Sequence, residues 1–433
     1  MLTLPSNDQR FCDGVSRRNF LRIGGLVLGG LTLPDLLRAE AQSGAEATGK
    51  SIINIYLAGG PTHMDTFDLK PNAPSEYRGE LSPIATATPG VEICELMPEL
   101  ASVSDKYSII RSLDGMRNEH DARQSDSGWS IQSMRSIGGR PGIGSVLSKL
   151  WGPAQVGPQG TAPTNIDLSS RSKEGFLGPV HAPYRPDSIG RANLTLNRNV
   201  STERLDDRQA LLKGFDRIQR DIDASGMMTA MDSFTQRAVG IVTSGKLAQA
   251  LDVSKVDPKV SEAYGLKQHR QNQDFLKAAR LIESGVRCVS TTWGSWDTHG
   301  NNFKTMRRQL PALSVGLTAL IKDLDASGLL DETLIMMSGE FGRTPRVNGN
   351  SGRDHWPRAG FFFLGGGGLN HGQVIGATNR LGEFPQERPV HLQHIFHTVY
   401  HTLGINSNAP LLTDPNGRPQ FLVGNRELIR ELV

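Results

Sequence analysis

Six short runs of apolar, β-branched and aromatic residues recur along the chain: SIINIYLA at 51–58, YSIIRSL at 107–113, TNIDLSS at 164–170, VRCVSTTW at 286–293, TLIMMSGE at 333–340 and AGFFFLGG at 359–366. Several are too continuously apolar for a sheet with one wet face, and strands buried between helical layers explain them better. Between these runs the period changes. Residues 203–244, 262–284 and 303–327 carry amphipathic helical spacing, and Phe303, Met306, Leu310, Leu313, Leu317 and Leu320 share one apolar stripe in the last of them. Residues 389–403, entered through Pro389, read as a further short helix. This alternation predicts an α/β fold, a three-layer sandwich with a mixed, mostly parallel central sheet.

Long excursions at 60–105, 114–163 and 171–202 interrupt the alternation, and the helical stretch 203–284 is expected to form a cap. The Gly/Pro-rich section 138–163 resembles a linker. Polar motifs on both sides of it would serve one strand edge together, so residues 42–433 are read as one domain with insertions.

The first 41 residues follow a different logic. SRRNFLR at 16–22 precedes the apolar run IGGLVLGGLTL at 23–33, then Pro34 and a small-residue stretch. This order of charged, apolar and small residues is that of an export signal. The paired Arg17 and Arg18 with Phe20 and Leu21 resemble a twin-arginine signal, which implies the twin-arginine export machinery as a partner and a periplasmic or envelope-associated location. The apolar run of 11 residues is too short to span a bilayer, which takes about 20. Cleavage near Ala41 would leave no stable transmembrane span.

Composition adds limits. The 433 residues carry a formal net charge of +3, with no concentrated basic stretch, so nucleic acid is not an expected partner. Loss of the leader would remove Cys12 and leave Cys94 and Cys288, for which one disulfide is permitted but not established.

Chemistry-bearing residues gather just after the strands. In GGPTHMDTFDLKP at 59–71, His63 and Asp65 are candidate cation ligands, while Asp68 beside Lys70 reads as a turn or ion-pair residue. In NEHDARQSDSGWS at 118–130, His120 is a candidate base or ligand, and Ser125 or Ser127 a candidate nucleophile. No GxSxG elbow supports a serine hydrolase. In STTWGSWDTHGNN at 290–302, Asp297 and His299 can reach one ion, and Trp296 can wall a substrate pocket. SGEFGRTPRVNGNSGRDHWP at 338–357 offers Glu340, Asp354 and His355 as ligands or acid–base groups, with Arg343 and Arg353 to bind an anionic group. His391, His394, His397 and His401 share a helical face, read as a polar edge rather than a metal site.

The ordered set GGPTHMDTFDLKP, WDTHGNN at 296–302, GEFGRTPRVNGNSGRDHWP at 339–357, GQVIGATNRLGE at 372–383 and HTVYHTLGIN at 397–406 resembles the bacterial domain-of-unknown-function family 1501, within the alkaline phosphatase and sulfatase-like fold group. The resemblance covers residues 51–430. It implies an alkaline phosphatase-like fold with helical and loop insertions, hydrolysis of phosphate or sulfate esters, and divalent metal centres. It implies metal-ligand roles for Asp297, His299, Glu340 and His355, with Asp354 beside the last and Asp65 at the opening acidic position. It places His120, with Ser125 or Ser127, in the region of the nucleophile. The chain departs from the group at Gly59–Gly60, where an acidic residue is usual, and at SGEFG, where phosphatases carry SDHG. It lacks the sulfatase CxPSR signature, so no formylglycine nucleophile is expected.

The resulting expectation is an exported metal-dependent hydrolase of phosphate or sulfate esters using zinc, manganese, calcium or magnesium, since a mixed N/O ligand set selects none of them. The alternative is a non-catalytic exported or envelope-associated protein that binds an anionic ligand such as a sulfated glycan.

Overall fold

The computed structural model describes residues 49–156, 160–186 and 246–433. The expected export signal and residues 187–245 of the excursion and cap lie outside these. All six expected strands form and belong to one sheet. We label its strands β1 (Ser51–Tyr56), β2 (Tyr107–Asp114), β3 (Asn165–Asp167), β4 (Cys288–Thr292), β5 (Thr333–Ser338), β6 (Gly360–Gly366), β7 (Gln373–Ile375) and β8 (Val390–His391).

The sheet order is β7-β2-β6-β5-β1-β4-β3, with β8 pairing on β2 as well. β6 runs antiparallel to both β2 and β5, whereas the β1–β4, β1–β5, β3–β4, β2–β7 and β2–β8 pairs are parallel. The sheet is therefore mixed and mostly parallel, as the apolar runs predict.

Alternation along each strand divides the core between two faces. Ile53 and Ile55 of β1, Val289 of β4 and Phe361 and Phe363 of β6 lie in one apolar cluster. Ile52, Cys288, Leu334, Met336 and Phe362 lie in another. The first cluster is closed by helices Gln273–Glu283 and Asn302–Ala326, the second by Ile143–Trp151 and Leu392–Thr402; with the short Arg123–Ser127 these are numbered in chain order α1 (123–127), α2 (143–151), α3 (273–283), α4 (302–326) and α5 (392–402). Helices on both sides of one sheet make an α/β sandwich. All six members of the expected stripe in α4 are buried in the first cluster, and each fully buried Leu or Phe of such a stripe contributes about 1.5–3 kcal/mol. Within the expected cap, the described helix α3 packs on β4 and α4 as part of the sandwich layer.

Cys94 and Cys288 are free, buried thiols in opposite clusters. Among the described residues, no helix is long and apolar enough to cross a membrane.

Candidate metal centre

Parallel strands deliver their carboxyl ends to one edge, where side chains from several loops can meet. That edge carries Gly59 and Gly60 after β1, Asn118 and His120 after β2, Asp297 and His299 after β4, and Glu340 after β5. His355 comes from a two-residue hairpin in which Arg343 pairs with His355 and Gly342 with Trp356.

These residues converge. His120 Nε2 lies 3.0 Å from His355 Nε2, and His299 Nε2 lies 3.0 Å from the same atom. Asp297 Oδ1 is 3.0 Å from His299 Nε2 and 3.3 Å from His355 Nε2, and its Oδ2 is 3.9 Å from His120 Nε2. His120, Asp297 and His355 each offer an atom within 4.8 Å of the others, a cluster able to hold a divalent cation. Phe341, fully buried, packs its ring against His120 and His355 and gives the centre an apolar floor.

Behind each imidazole sits a hydrogen-bond acceptor. His120 Nδ1 is 3.1 Å from Glu340 Oε1, His299 Nδ1 is 2.6 Å from Asp354 Oδ1, and His355 Nδ1 is 2.8 Å from Asn118 Oδ1. An ionised carboxylate can only accept, so on His120 and His299 the proton belongs on Nδ1 and the Nε2 lone pair faces forward; the Asn118 amide oxygen, also an acceptor, does the same for His355. The Nε2 lone pairs of His120 and His299 each face that of His355 at 3.0 Å, with Asp297 Oδ1 3.0 and 3.3 Å from His299 and His355, and such an array repels itself unless a positive charge lies among it. The donor set therefore fits a bound metal ion.

Arg343 is wholly buried and fixes Asp297. Its Nη2 donates to Asp297 Oδ1 and to the carbonyl of Gly59, its Nε to the carbonyl of Gly60 at 2.9 Å, and its Nη1 to that of Arg353 at 3.0 Å. Burial pushes the Asp297 carboxyl up, but the Arg343 guanidinium beside it, with His355 and His299, holds it below the usual carboxylate range. Hydrogen bonds from His299 and Asn348 hold Asp354 low as well. Burial pushes the His355 imidazole down, which favours the neutral form that a metal needs.

Glu340 stands behind the centre rather than in it. Its buried carboxylate accepts from Gly59 N at 2.9 Å, Gly60 N at 3.1 Å and His120. It also raises the Tyr56 phenol, which is pushed up first by burial and then by the charge of Glu340. Gly59 makes the close approach possible: its φ is +101°, and a Cβ there would lie 2.4 Å from the Asp297 amide nitrogen.

Several expected site residues are placed elsewhere. Asp65 and Arg353 form a buried ion pair, Nε–Oδ2 2.7 Å and Nη2–Oδ1 2.9 Å, so neither is a metal ligand or an anion-binding group. The expectation of Arg343 as an anion clamp is corrected for the same reason, since its donors are committed to Asp297 and three carbonyls. Trp296 is fully buried, with Nε1 donating to Trp293 O at 3.0 Å and its ring packed on Trp293, and so belongs to the core instead of a pocket wall. His63 is buried with Nε2 against Gly382 O at 2.8 Å, and it does not join the cluster of His120, Asp297 and His355. Asp68 pairs with Lys70 at 2.9 Å, as its position in the turn predicts.

The serine hydroxyls are engaged inward. Ser125 Oγ donates to Gly339 O at 2.9 Å and Ser127 Oγ to Arg123 O at 2.7 Å, and both residues are buried. Neither meets the expectation of an accessible nucleophile. The helical histidines are also dispersed in role: His391 accepts from Gln393 N as an N-cap, and His397 Nδ1 pairs with Ser407 Oγ at 2.7 Å. Sequence reasoning did not single out Asn118 and Tyr56. Asn118 lies two residues before His120, in the same polar stretch, and that adjacency was its only signal.

The family described as "Protein of unknown function (DUF1501)" matches residues 49–433. No curated protein matches the chain. Among solved structures, the PsFucS1 sulfatase from Pseudoalteromonas sp. is 12% identical, with 89% of this chain and 75% of that chain covered at a TM-score of 0.37. The lipoteichoic acid synthase LtaP from Listeria monocytogenes is 11% identical, with 89% and 79% covered at 0.32. A protein in the alkaline phosphatase superfamily from Vibrio parahaemolyticus is 9% identical, with 87% and 71% covered at 0.35.

Proposed function

The chain belongs to the DUF1501 family, and we propose that it is an exported, metal-dependent hydrolase of phosphate or sulfate esters. The observation that carries this reading is the meeting of three imidazole Nε2 atoms with the Asp297 carboxylate at the carboxyl edge of the sheet. His120, His299, His355 and Asp297 would hold the ion. When bound, it supplies Lewis acidity toward an ester oxygen and makes water a stronger acid.

The protein's own groups do the rest. Arg343 locks Asp297 in one orientation, and Glu340, Asp354 and Asn118 lock the three rings. Because the hydroxyls of Ser125 and Ser127 are directed at main-chain carbonyls, water rather than either serine attacks in this reading. Asp354, half exposed, accepts from His299 Nδ1 and so holds the tautomer and ring orientation that turn Nε2 toward the centre.

A second reading is an exported or envelope-associated protein that binds an anionic ligand without turnover. The engagement of both serine hydroxyls favours it. Purified protein supplied with zinc, manganese, calcium or magnesium is assayed with p-nitrophenyl phosphate and p-nitrophenyl sulfate. The hydrolase reading expects metal-dependent release of nitrophenol that is lost in Asp297→Ala and His355→Ala. Binding of phosphate or sulfate with no release under any metal supports the second reading.

A further inference from the structure

We infer that Asn118, Glu340 and Asp354 are positioning residues that set the centre for a nitrogen-preferring transition ion, zinc foremost, against calcium and magnesium. The inference rests on the reading of this cluster as a metal site but is independent of whether the site turns over an ester.

Three observations carry it. The first is the donor set. His120 and His355 offer imidazole nitrogens beside the single Asp297 carboxylate, with His299 Nε2 3.0 Å from His355 Nε2 and from Asp297 Oδ1, whereas calcium takes six to eight oxygens and magnesium retains a shell of oxygen ligands. Imidazole nitrogen suits zinc and its neighbours, with Zn–N near 2.0–2.1 Å. The second is that all three rings are held through Nδ1 by an oxygen acceptor, at 3.1, 2.6 and 2.8 Å. Acceptors behind a ligating histidine fix its tautomer and raise its basicity, which strengthens binding to nitrogen-preferring metals in particular.

The third is the way the braces cross between segments. Asn118 shares a loop with His120 but holds His355. Asp354 is the neighbour of His355 but holds His299. Glu340, at the end of β5, holds His120 and at the same time the amides of Gly59 and Gly60. Each histidine is thus oriented by a residue from a different segment. The three loops are bound into one unit before any ion arrives, and such preorganisation limits adaptation to a larger ion or a higher coordination number.

The test uses the full chain stripped of metal with a chelator. Equilibrium dialysis against zinc, and separately against zinc with a large excess of calcium or magnesium, reads stoichiometry and selectivity. Cobalt substitution gives a visible spectrum that reports the ligand field. One zinc per chain is expected, undisplaced by calcium or magnesium, with an intense cobalt absorption. Asp354→Ala should weaken zinc binding about 10- to 100-fold and alter the cobalt spectrum, and Asp354→Asn, which can still accept from Nδ1, should recover part of the loss. Asp354 is exposed, and far-UV circular dichroism verifies that both variants are folded. Calcium or magnesium binding as tight as zinc, or unchanged zinc affinity in Asp354→Ala, would overturn the inference. Zinc binding of the expected kind without ester turnover would leave it standing and remove the hydrolase reading instead.

Discussion

Arg353 and Asp65 lie 288 residues apart in sequence and form a two-pronged ion pair with both side chains wholly excluded from solvent. The remaining guanidinium hydrogens go to the carbonyls of Thr344, Pro345 and Tyr77, while Asp65 also accepts from Thr62 and Asn302. The pair fastens the loop that carries Asp354 and His355 to the turn after β1. Removing one partner strands a buried charge, so Arg353→Leu is expected to cost about 3–5 kcal/mol in urea denaturation. Replacing both, as in Asp65→Leu with Arg353→Leu, should cost less than the sum of the single changes. Additive losses would contradict the coupling.

Serine chemistry can be separated from metal chemistry. Ser125→Ala and Ser127→Ala each remove a hydroxyl that donates to a main-chain carbonyl, and each should cost about 0.5–1.5 kcal/mol of stability. Ester turnover should persist in both variants. Abolition of turnover by either substitution in a folded protein would return that serine to the role of nucleophile.

A pH dependence follows from Asp126, which lies on the opposite sheet face from α4. It is buried, with Oδ1 accepting from Asn54 at 3.0 Å and Oδ2 from Ser172 at 2.6 Å. Burial pushes its carboxyl up to about 7, against the Ser172 and Asn54 hydrogen bonds and aided by the charge of Asp167. The folded chain thus holds a proton that the unfolded chain has released above its ordinary value of 3.8. This contribution to stability is complete below about pH 4 and is lost as pH rises toward 7, with a slope of at most about 1.4 kcal/mol per pH unit. Urea midpoints measured from pH 4 to 8 should fall over that window in the wild type, and less so in Asp126→Asn.

Gly59 offers a steric test of the turn after β1. With φ at +101° and the Asp297 amide in the way of any Cβ, Gly59→Ala must shift either the turn or the Asp297 segment. The expected result is a lower melting temperature together with weaker metal binding. A variant with full stability and unaltered zinc affinity would show that the contact does not position Asp297.

The fold was legible because a buried parallel sheet needs continuously apolar strands, and SIINIY, TLIMMS and GFFFLGG have no other good use. The strands β7 and β8 were not read because three and two half-polar residues carry no period. In the site, His120, Asp297, His299, Glu340, Asp354 and His355 were readable because they follow strand ends, where a parallel fold collects its loops. Asp65, Arg353 and Trp296 belong to the same motifs and the same residue types, yet they face inward. Their role depends on a partner far away in sequence or on a neighbouring indole, and local spacing holds no record of either. Glu340 was read as a ligand for a similar reason: its position at the end of β5 was visible, but the amides of Gly59 and Gly60 that turn it to the rear were not.

Anomalous diffraction at the zinc edge, on crystals grown from zinc-loaded protein, is the most direct measurement. One strong peak is expected in contact with the Nε2 atoms of His120, His299 and His355 and with Asp297, with Glu340 and Asp354 behind the rings at Nδ1 and out of contact with the ion. No peak at that point, with the three rings still clustered and zinc present in solution, would contradict the assignment of a metal centre.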